Sequence, residues 1–269
     1  SAPAGDPARR RATRREPGRP SFASSDNMTF SSESALPGAV RQSGLLDLGV
    51  RVDHVRFHRK LRFGSTDIQS AMDVRDPDIL VLDYTRLMMA FLLFQPRPQR
   101  MLMIGLGGGS LPKFCHRFDI PVDQPGFQVI QADGTAFVAE AGDRAYDVIL
   151  VDGFEASQMP AGLGTLDFYL QCARLLQPSG VMVCNLHLLD IFYSAYLDRI
   201  DTVFDRNTLL ATTRDHGNAV VFARLSRSLH DGLPRRPIRP ATMVAGAWSG
   251  IESDLHDVLR GARRAPRRA

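Results

Sequence analysis

Lysine is nearly absent from this 269-residue chain: Lys60 and Lys113 are the only two. The other basic residues are arginine, a bias of composition rather than a sign of lysine chemistry. Cysteine is scarce as well. Cys115, Cys172 and Cys184 show no C-x-x-C spacing, and they fall in two expected helices and one expected strand. They are expected to be buried free thiols, which fits a reducing cytoplasm. Long apolar runs are missing. The longest, LMMAFLLF at 87–94, is far too short to span a bilayer. The first twenty residues have no apolar core and so do not form a secretory signal. No internal repeat is visible.

Charge is unevenly spread. The formal net charge is +4, but residues 1–20 carry +4 and residues 260–269 carry +5, which leaves the body at −5. A mildly acidic body argues against a nucleic-acid-binding face on the folded part. Residues 1–42, rich in Pro, Ser, Gly and Arg without periodicity, read as a disordered basic tail.

What is present is a pattern of alternating elements. Residues 43–77 alternate in polarity and predict a small antiparallel β region, with turns near 59–60 and 64–67. His54 and His58 are four apart, which on strands marks one face rather than a metal site. A buried helix is expected over 79–94, ending before Pro96 and Pro98. Strands follow at 101–104, 127–131, 146–151 and 181–186, and helices at 110–117, 166–176 and 189–204. A hairpin pairs 208–213 with 218–223 around DHGN. Alternation of this kind predicts an α/β fold with an open, mostly parallel sheet and helices on both sides. The closing antiparallel hairpin favours a Rossmann-like, methyltransferase-type sheet over a dinucleotide-binding one. Residues 78–228 form the expected cofactor-binding domain. Residues 229–269 form a C-terminal extension with one helix at 251–259 and a basic tail.

Three stretches carry chemistry. GLGGGS places Gly105, Gly107 and Gly109 between an apolar strand and a helix. A sharp loop that lets ligand approach bare backbone needs such residues, although a tight turn serving packing alone would use them too. Ser110 stands where G-x-G-x-x-G has its last glycine, so the spacing suits an adenosyl sulfonium better than a nicotinamide dinucleotide. VIQADG ends a strand with Asp133 and Gly134, and an acid there can accept hydrogen bonds from adenine or ribose. YDVILVDGFEAS puts Asp152 at the end of the most buried strand, with Glu155 three residues on. A carboxylate at that point can hold an attacking amine and take its proton, or simply solvate a loop.

Together RPQRMLMIGLGGGSLPKFCHRF, VIQADGTAFV, YDVILVDGFEASQMPAGLGTLDFY and LLQPSGVMVCNL resemble the spermidine synthase (polyamine aminopropyltransferase) family, in its divergent bacterial spermidine-synthase-like branch. The resemblance covers roughly residues 60–224. It implies a small N-terminal β-domain, a methyltransferase-type domain, usually a homodimer, and a cytoplasmic transferase without a metal. The implied reaction moves an aminopropyl group from decarboxylated S-adenosylmethionine to a small amine such as putrescine. By the same resemblance Gly105, Gly107 and Gly109 form the cofactor loop, Asp133 and Gly134 contact adenine, Asp152 activates the amine, and Tyr84 grips the substrate. Glu155 is assigned to the substrate side. An S-adenosylmethionine-dependent methyltransferase and a non-catalytic relic of the fold are the alternatives.

The departures are specific. Asp152-Gly-Phe-Glu155 replaces the family's D-S-S-D-P, and Thr85-Arg86-Leu87 replaces Gln-Glu-Met after the tyrosine. Arg86 would oppose a dicationic amine if it pointed inward. No aromatic-rich loop follows the hairpin. Above all, the strand and helix expected after the glycine-loop helix are absent, with the join near Arg117–Phe118. The gap is an artefact of the sequence, a true deletion that ruins the cofactor site, or a vacancy filled by 127–131. The last is the geometry expected of the folded chain. It would place Asp133, 24 residues past Gly109, near the ribose acid, whose usual offset is about 20 residues.

Overall fold

The computed structural model describes residues 50–63, 68–120, 127–154, 158–226 and 228–264. The expected basic tail, the turn at 64–67 and Glu155 lie outside them. Strands β1 (Val50–Val55), β2 (His58–Phe63) and β3 (Ser70–Asp73) form an antiparallel sheet in that order. The first turn falls at Arg56 and Phe57, not at 59–60, because Val55 pairs with His58. Arg59 and Lys60 sit inside β2 opposite His54 and Asp53. Polar residues on an open sheet face read like a turn in sequence. Here Arg56, with φ at +53°, makes the turn instead.

Helix α1 (Asp83–Met88) runs into a 3-10 segment, Met89–Leu93, whose five residues are all buried. The second sheet begins with β4 (Met101–Ile104), followed by the glycine loop and α2 (Ser110–Arg117). Next come α3 (Gly134–Glu140), β5 (Tyr146–Val151), α4 (Leu166–Leu175) and β6 (Leu176–His187). Helix α5 (Tyr193–Val203), β7 (Thr208–Thr212), β8 (Asn218–Ala223) and α6 (Ala245–Arg264) complete the series. The sheet order is β4-β5-β6-β8-β7. The first three strands are parallel, and β8 joins β6 antiparallel with β7 outside it. This is the expected α/β architecture with its closing hairpin.

Strand alternation splits the core between the two faces of the sheet. Val148 and Leu150 of β5 join Val181, Val183 and Phe222 under α1, α2 and α6. Ile149 and Val151 join Met182, Cys184 and Val221 under α3, α4 and α5. Strands buried on both faces need no polar alternation, which is why YDVILV reads as a continuous apolar run. Trp248, Ile251, Leu255, Val258, Leu259 and Ala262 form the buried stripe of α6 at helical spacing. Each large side chain in that stripe contributes about 2 kcal/mol by leaving water. All three cysteines are buried and free. Burial pushes the Cys115 and Cys172 thiols up to about 12, so they pack as apolar groups.

The expected strand at 127–131 does not form. Residues 127–133 have no regular structure, and Phe127, Val129 and Ile130 are more than half exposed. Strand β4 is therefore the edge of the sheet. A further parallel strand needs helices over both of its faces. The chain supplies α2 on one side and lacks the second helix that the missing segment would have brought. Among the described residues no strand fills the vacancy.

Candidate active site

The carboxyl ends of the parallel strands meet around a cavity of about 460 Å³. The glycine loop leaves β4 directly against the end of β5. A Cβ on Gly105 would stand 2.1 Å from the Asp152 carbonyl oxygen, and Gly105 also has φ at +89°, so only glycine fits. Gly107, with φ at +51°, lies in the open wall, its nearest neighbour the Gln69 carbonyl at 3.8 Å. Gly105 and Gly107 therefore present bare backbone to the cavity, with Leu106 between them also lining it. Gly109 begins α2 and does not line it.

Asp152 follows the last residue of β5, and its backbone N–H donates to the Ile104 carbonyl at 2.8 Å, fixing the turn. Its Oδ1 accepts from Asn185 Nδ2 at 2.9 Å. Asn185 is buried near the end of β6 and in turn accepts from Asn218 Nδ2 at 3.0 Å. The Tyr84 hydroxyl donates to the Gln69 carbonyl at 3.5 Å and faces Asp152 from the α1 side, where it helps to hold the Asp152 carboxyl down. Burial pushes the Asp152 carboxyl up to about 6, against the pull of the Asn185 and Tyr84 hydrogen bonds. Burial and the neighbouring Asp152 charge push the Tyr84 phenol well above its ordinary value, so it acts only as a neutral donor.

Asp133 and Gly134 do different work. Asp133 is exposed and caps α3, its Oδ1 accepting from the Thr135 and Ala136 backbone N–H groups at 2.8 and 3.0 Å. The Thr135 hydroxyl and these N–H groups hold its carboxyl below the usual range. Gly134 packs against Ile104, where a Cβ would come within 2.8 Å of Cγ2. Neither residue lines the cavity. Asp133 thus stands at the edge of the sheet as a helix cap, its carboxylate turned into its own helix.

Arg86 points away from the cavity. Its guanidinium is paired with Asp83, donates to Asp254 Oδ2 of α6 at 3.2 Å, and donates to the Val81 carbonyl at 2.6 Å. The condition under which Arg86 would oppose a dicationic amine, an inward-pointing guanidinium, is not met. Sequence reasoning passed over Asn185, His187, Asp215 and Asn218, all of which line the cavity. The rule that drew attention to Asp152, a polar residue at a strand end, also marks Asn185 and His187. Nothing in the sequence distinguishes Asp215 from an ordinary turn residue. Among the described residues no three His, Cys, Asp or Glu side chains gather to hold a metal, and no helix is long and apolar enough to cross a membrane.

No family model matches the chain. Similarity to individual proteins is clear. A polyamine aminopropyltransferase from Chromobacterium violaceum is 37% identical over 195 residues, covering 64% of this chain and 74% of that protein. The polyamine aminopropyltransferase of Neisseria meningitidis serogroup A is 31% identical over 229 residues, covering 76% and 85%. Among solved structures, a probable spermidine synthase from Corynebacterium glutamicum superposes with a TM-score of 0.55 at 16% identity, over 65% of this chain and 76% of that one. The last likeness concerns the fold alone. The extent and identity of the first two place this chain in the polyamine aminopropyltransferase family, a family of transferases.

Proposed function

We propose that this chain transfers an aminopropyl group from decarboxylated S-adenosylmethionine to a small primary amine, with putrescine as the reference acceptor. The observation that carries the reading is Asp152. It is a strand-end carboxylate beside the glycine loop, held by Asn185 and Tyr84, and raised to about 6 by burial.

The chemistry follows from that placement. An amine is protonated in water near pH 7 and must lose a proton to become a nucleophile. Asp152 accepts that proton, and its raised basicity improves the match to the task. The amine lone pair forms a bond to the methylene next to the sulfonium. The carbon–sulfur bond breaks with its electrons going to sulfur, and methylthioadenosine leaves. The sulfonium loses its charge in this step, so the reaction needs no Lewis acid. Asn185 fixes the carboxylate by donating to it, with Tyr84 beside it, leaving lone pairs for the amine. The backbone of Gly105 and Gly107 gives the adenosyl group a surface without side chains. Asp133, as a helix cap, is not offered to the ribose, so we assign the adenosyl contact to the glycine loop.

The test is Asp152→Asn assayed with both substrates. Turnover falls by about a thousandfold, while calorimetry still shows methylthioadenosine bound. Full activity in Asp152→Asn would remove Asp152 from the mechanism.

A further inference from the structure

The cavity wall beside the glycine loop carries a guanidinium. Strands β2 and β3 pack on that loop, where a Cβ on Gly108 would meet Ser70 and Leu61. Leu61 pairs with Ser70, and the Gln69 N–H donates to the Leu61 carbonyl at 2.9 Å. The Gln69 carbonyl would stand 3.8 Å from a Cβ on Gly107 and accepts from the Tyr84 hydroxyl at 3.5 Å. The residue after Leu61 in β2 is Arg62, which lines the cavity with Ile68 and Gln69. Arg62 Nε donates to Asp53 Oδ2 at 2.9 Å, and Arg51 Nε donates to Asp53 Oδ1 at 2.6 Å. One carboxylate is thus shared by two guanidinium groups, and the cluster keeps a net positive charge. Among the described residues neither Nη group of Arg62 has a partner.

The described carboxylates of the wall are engaged or stand elsewhere. Asp83 is paired with Arg86, Asp152 is the base for the amine, and Asp215 sits in the β7–β8 turn. From the end of β4 to the start of β8 is three strand spacings, roughly 15 Å. On the glycine-loop side the charged group among the described wall residues is therefore Arg62. An adenosyl sulfonium lying on Gly105 and Gly107 directs its alkyl chain from there towards Asp152. In the decarboxylated donor that chain ends in an ammonium, which a guanidinium repels. In S-adenosylmethionine the same chain also carries a carboxylate. The two Nη groups of an arginine fit a carboxylate with paired N–H···O bonds. We propose that Arg62 holds the carboxylate of S-adenosylmethionine, and that this chain uses S-adenosylmethionine as a second donor, moving a 3-amino-3-carboxypropyl group to the amine. The bonds made and broken are those of the aminopropyl reaction. The amine nitrogen bonds to the methylene beside the sulfonium, and the carbon–sulfur bond breaks with its electrons going to sulfur. Methylthioadenosine leaves, and Asp152 takes the amine proton.

The inference rests on the transferase reading, and the two fail separately. The full chain is incubated with 1,4-diaminobutane and either donor, and the amine adducts are quantified by mass spectrometry. With S-adenosylmethionine, wild type yields methylthioadenosine and a spermidine bearing one carboxyl group. Spermidine from the decarboxylated donor with no adduct from S-adenosylmethionine overturns the inference and leaves the transferase reading standing. A methylated amine with S-adenosylhomocysteine also overturns the inference. No adduct from either donor defeats both. Arg62→Gln ties the second donor to the residue: the kcat/KM for S-adenosylmethionine, relative to that for the decarboxylated donor, falls about tenfold. An equal change with both donors removes Arg62 from the donor site. Arg62→Lys keeps the charge without the fork and recovers only part of the ratio. Calorimetry of wild type needs no variant. The methyl ester of S-adenosylmethionine, which lacks the carboxylate charge, binds about tenfold more weakly than S-adenosylmethionine itself. Equal affinity for the two overturns the carboxylate site.

Discussion

Asp152 combines two properties that pull in opposite directions. Its carboxyl titrates near 6 in the folded chain, against about 3.9 for an unperturbed aspartate. The base form is needed for catalysis, so kcat/KM falls about tenfold per pH unit below 6. The same shift destabilises the fold above pH 6, because the native site disfavours the charged form. That penalty fades as the pH falls from 6 towards 4. Asp152→Asn therefore raises stability by about 3 kcal/mol at pH 8 and by only about 1 kcal/mol at pH 4.5. Thermal unfolding at the two pH values reads the difference, and equal shifts would contradict the assignment. Asn185→Ala removes a bond that lowers the Asp152 pKa, so the acid limb of the rate profile moves to higher pH. Asp152, Tyr84, Gly105 and Gly107 could all be singled out from sequence and do meet around one cavity. Asp133 could not be separated from a helix cap, because both roles put an acid just after a strand-like segment and before a helix. Asn185 shares the strand-end position that marked Asp152, but its partners Asp152 and Asn218 come from other strands, and Asp215 looks like an ordinary turn residue.

Helix α1 bears Tyr84 on one side and Arg86 on the other, and Arg86 ties it to α6. The pair with Asp254 is largely shielded, with side-chain exposures of 17% and 8%. Burial raises the Asp254 carboxyl, and Arg86 chiefly opposes that rise. Arg86→Ala leaves Asp254 facing the apolar core without its main partner and destabilises the chain by about 3 kcal/mol. Arg86→Lys does not restore it, because one ammonium cannot reach two carboxylates and two carbonyls in a fixed fork. Urea unfolding followed by Trp248, the only tryptophan and a buried residue of α6, measures both. Arg86 and Asp254 are 168 residues apart, so the pairing was not legible in sequence and Arg86 read as a threat to the site. The elements that were legible have local causes. MLMI, YDVILV and NAVVFA are strands by composition, and SLPKFCHR is a helix by its apolar spacing. FQVIQ has the same composition, but a strand needs a neighbour and cover on both faces, and 127–131 has neither.

The molecule keeps the half of the sheet that lines the cavity, and among the described residues no strand pairs with the other edge at β4. Among the described residues no strand protects the β4 amides that do not face β5. In native-state hydrogen exchange they should exchange far faster than the amides of β5, which lies between β4 and β6. Equal protection would mean that something covers the edge. The cavity, by contrast, is lined by the ends of β5 and β6, the β7–β8 hairpin, α1, the glycine loop and the first sheet at Arg62, Ile68 and Gln69, none of which lies in the missing segment. The proposed amine-activating group, Asp152, therefore lies in the part of the fold that is present. The most direct measurement incubates the full chain with decarboxylated S-adenosylmethionine and 1,4-diaminobutane and quantifies products by mass spectrometry. Equal amounts of methylthioadenosine and spermidine from wild type, and neither from Asp152→Asn, are the expected result. No methylthioadenosine from wild type, with no adenosyl compound bound in calorimetry, would contradict it.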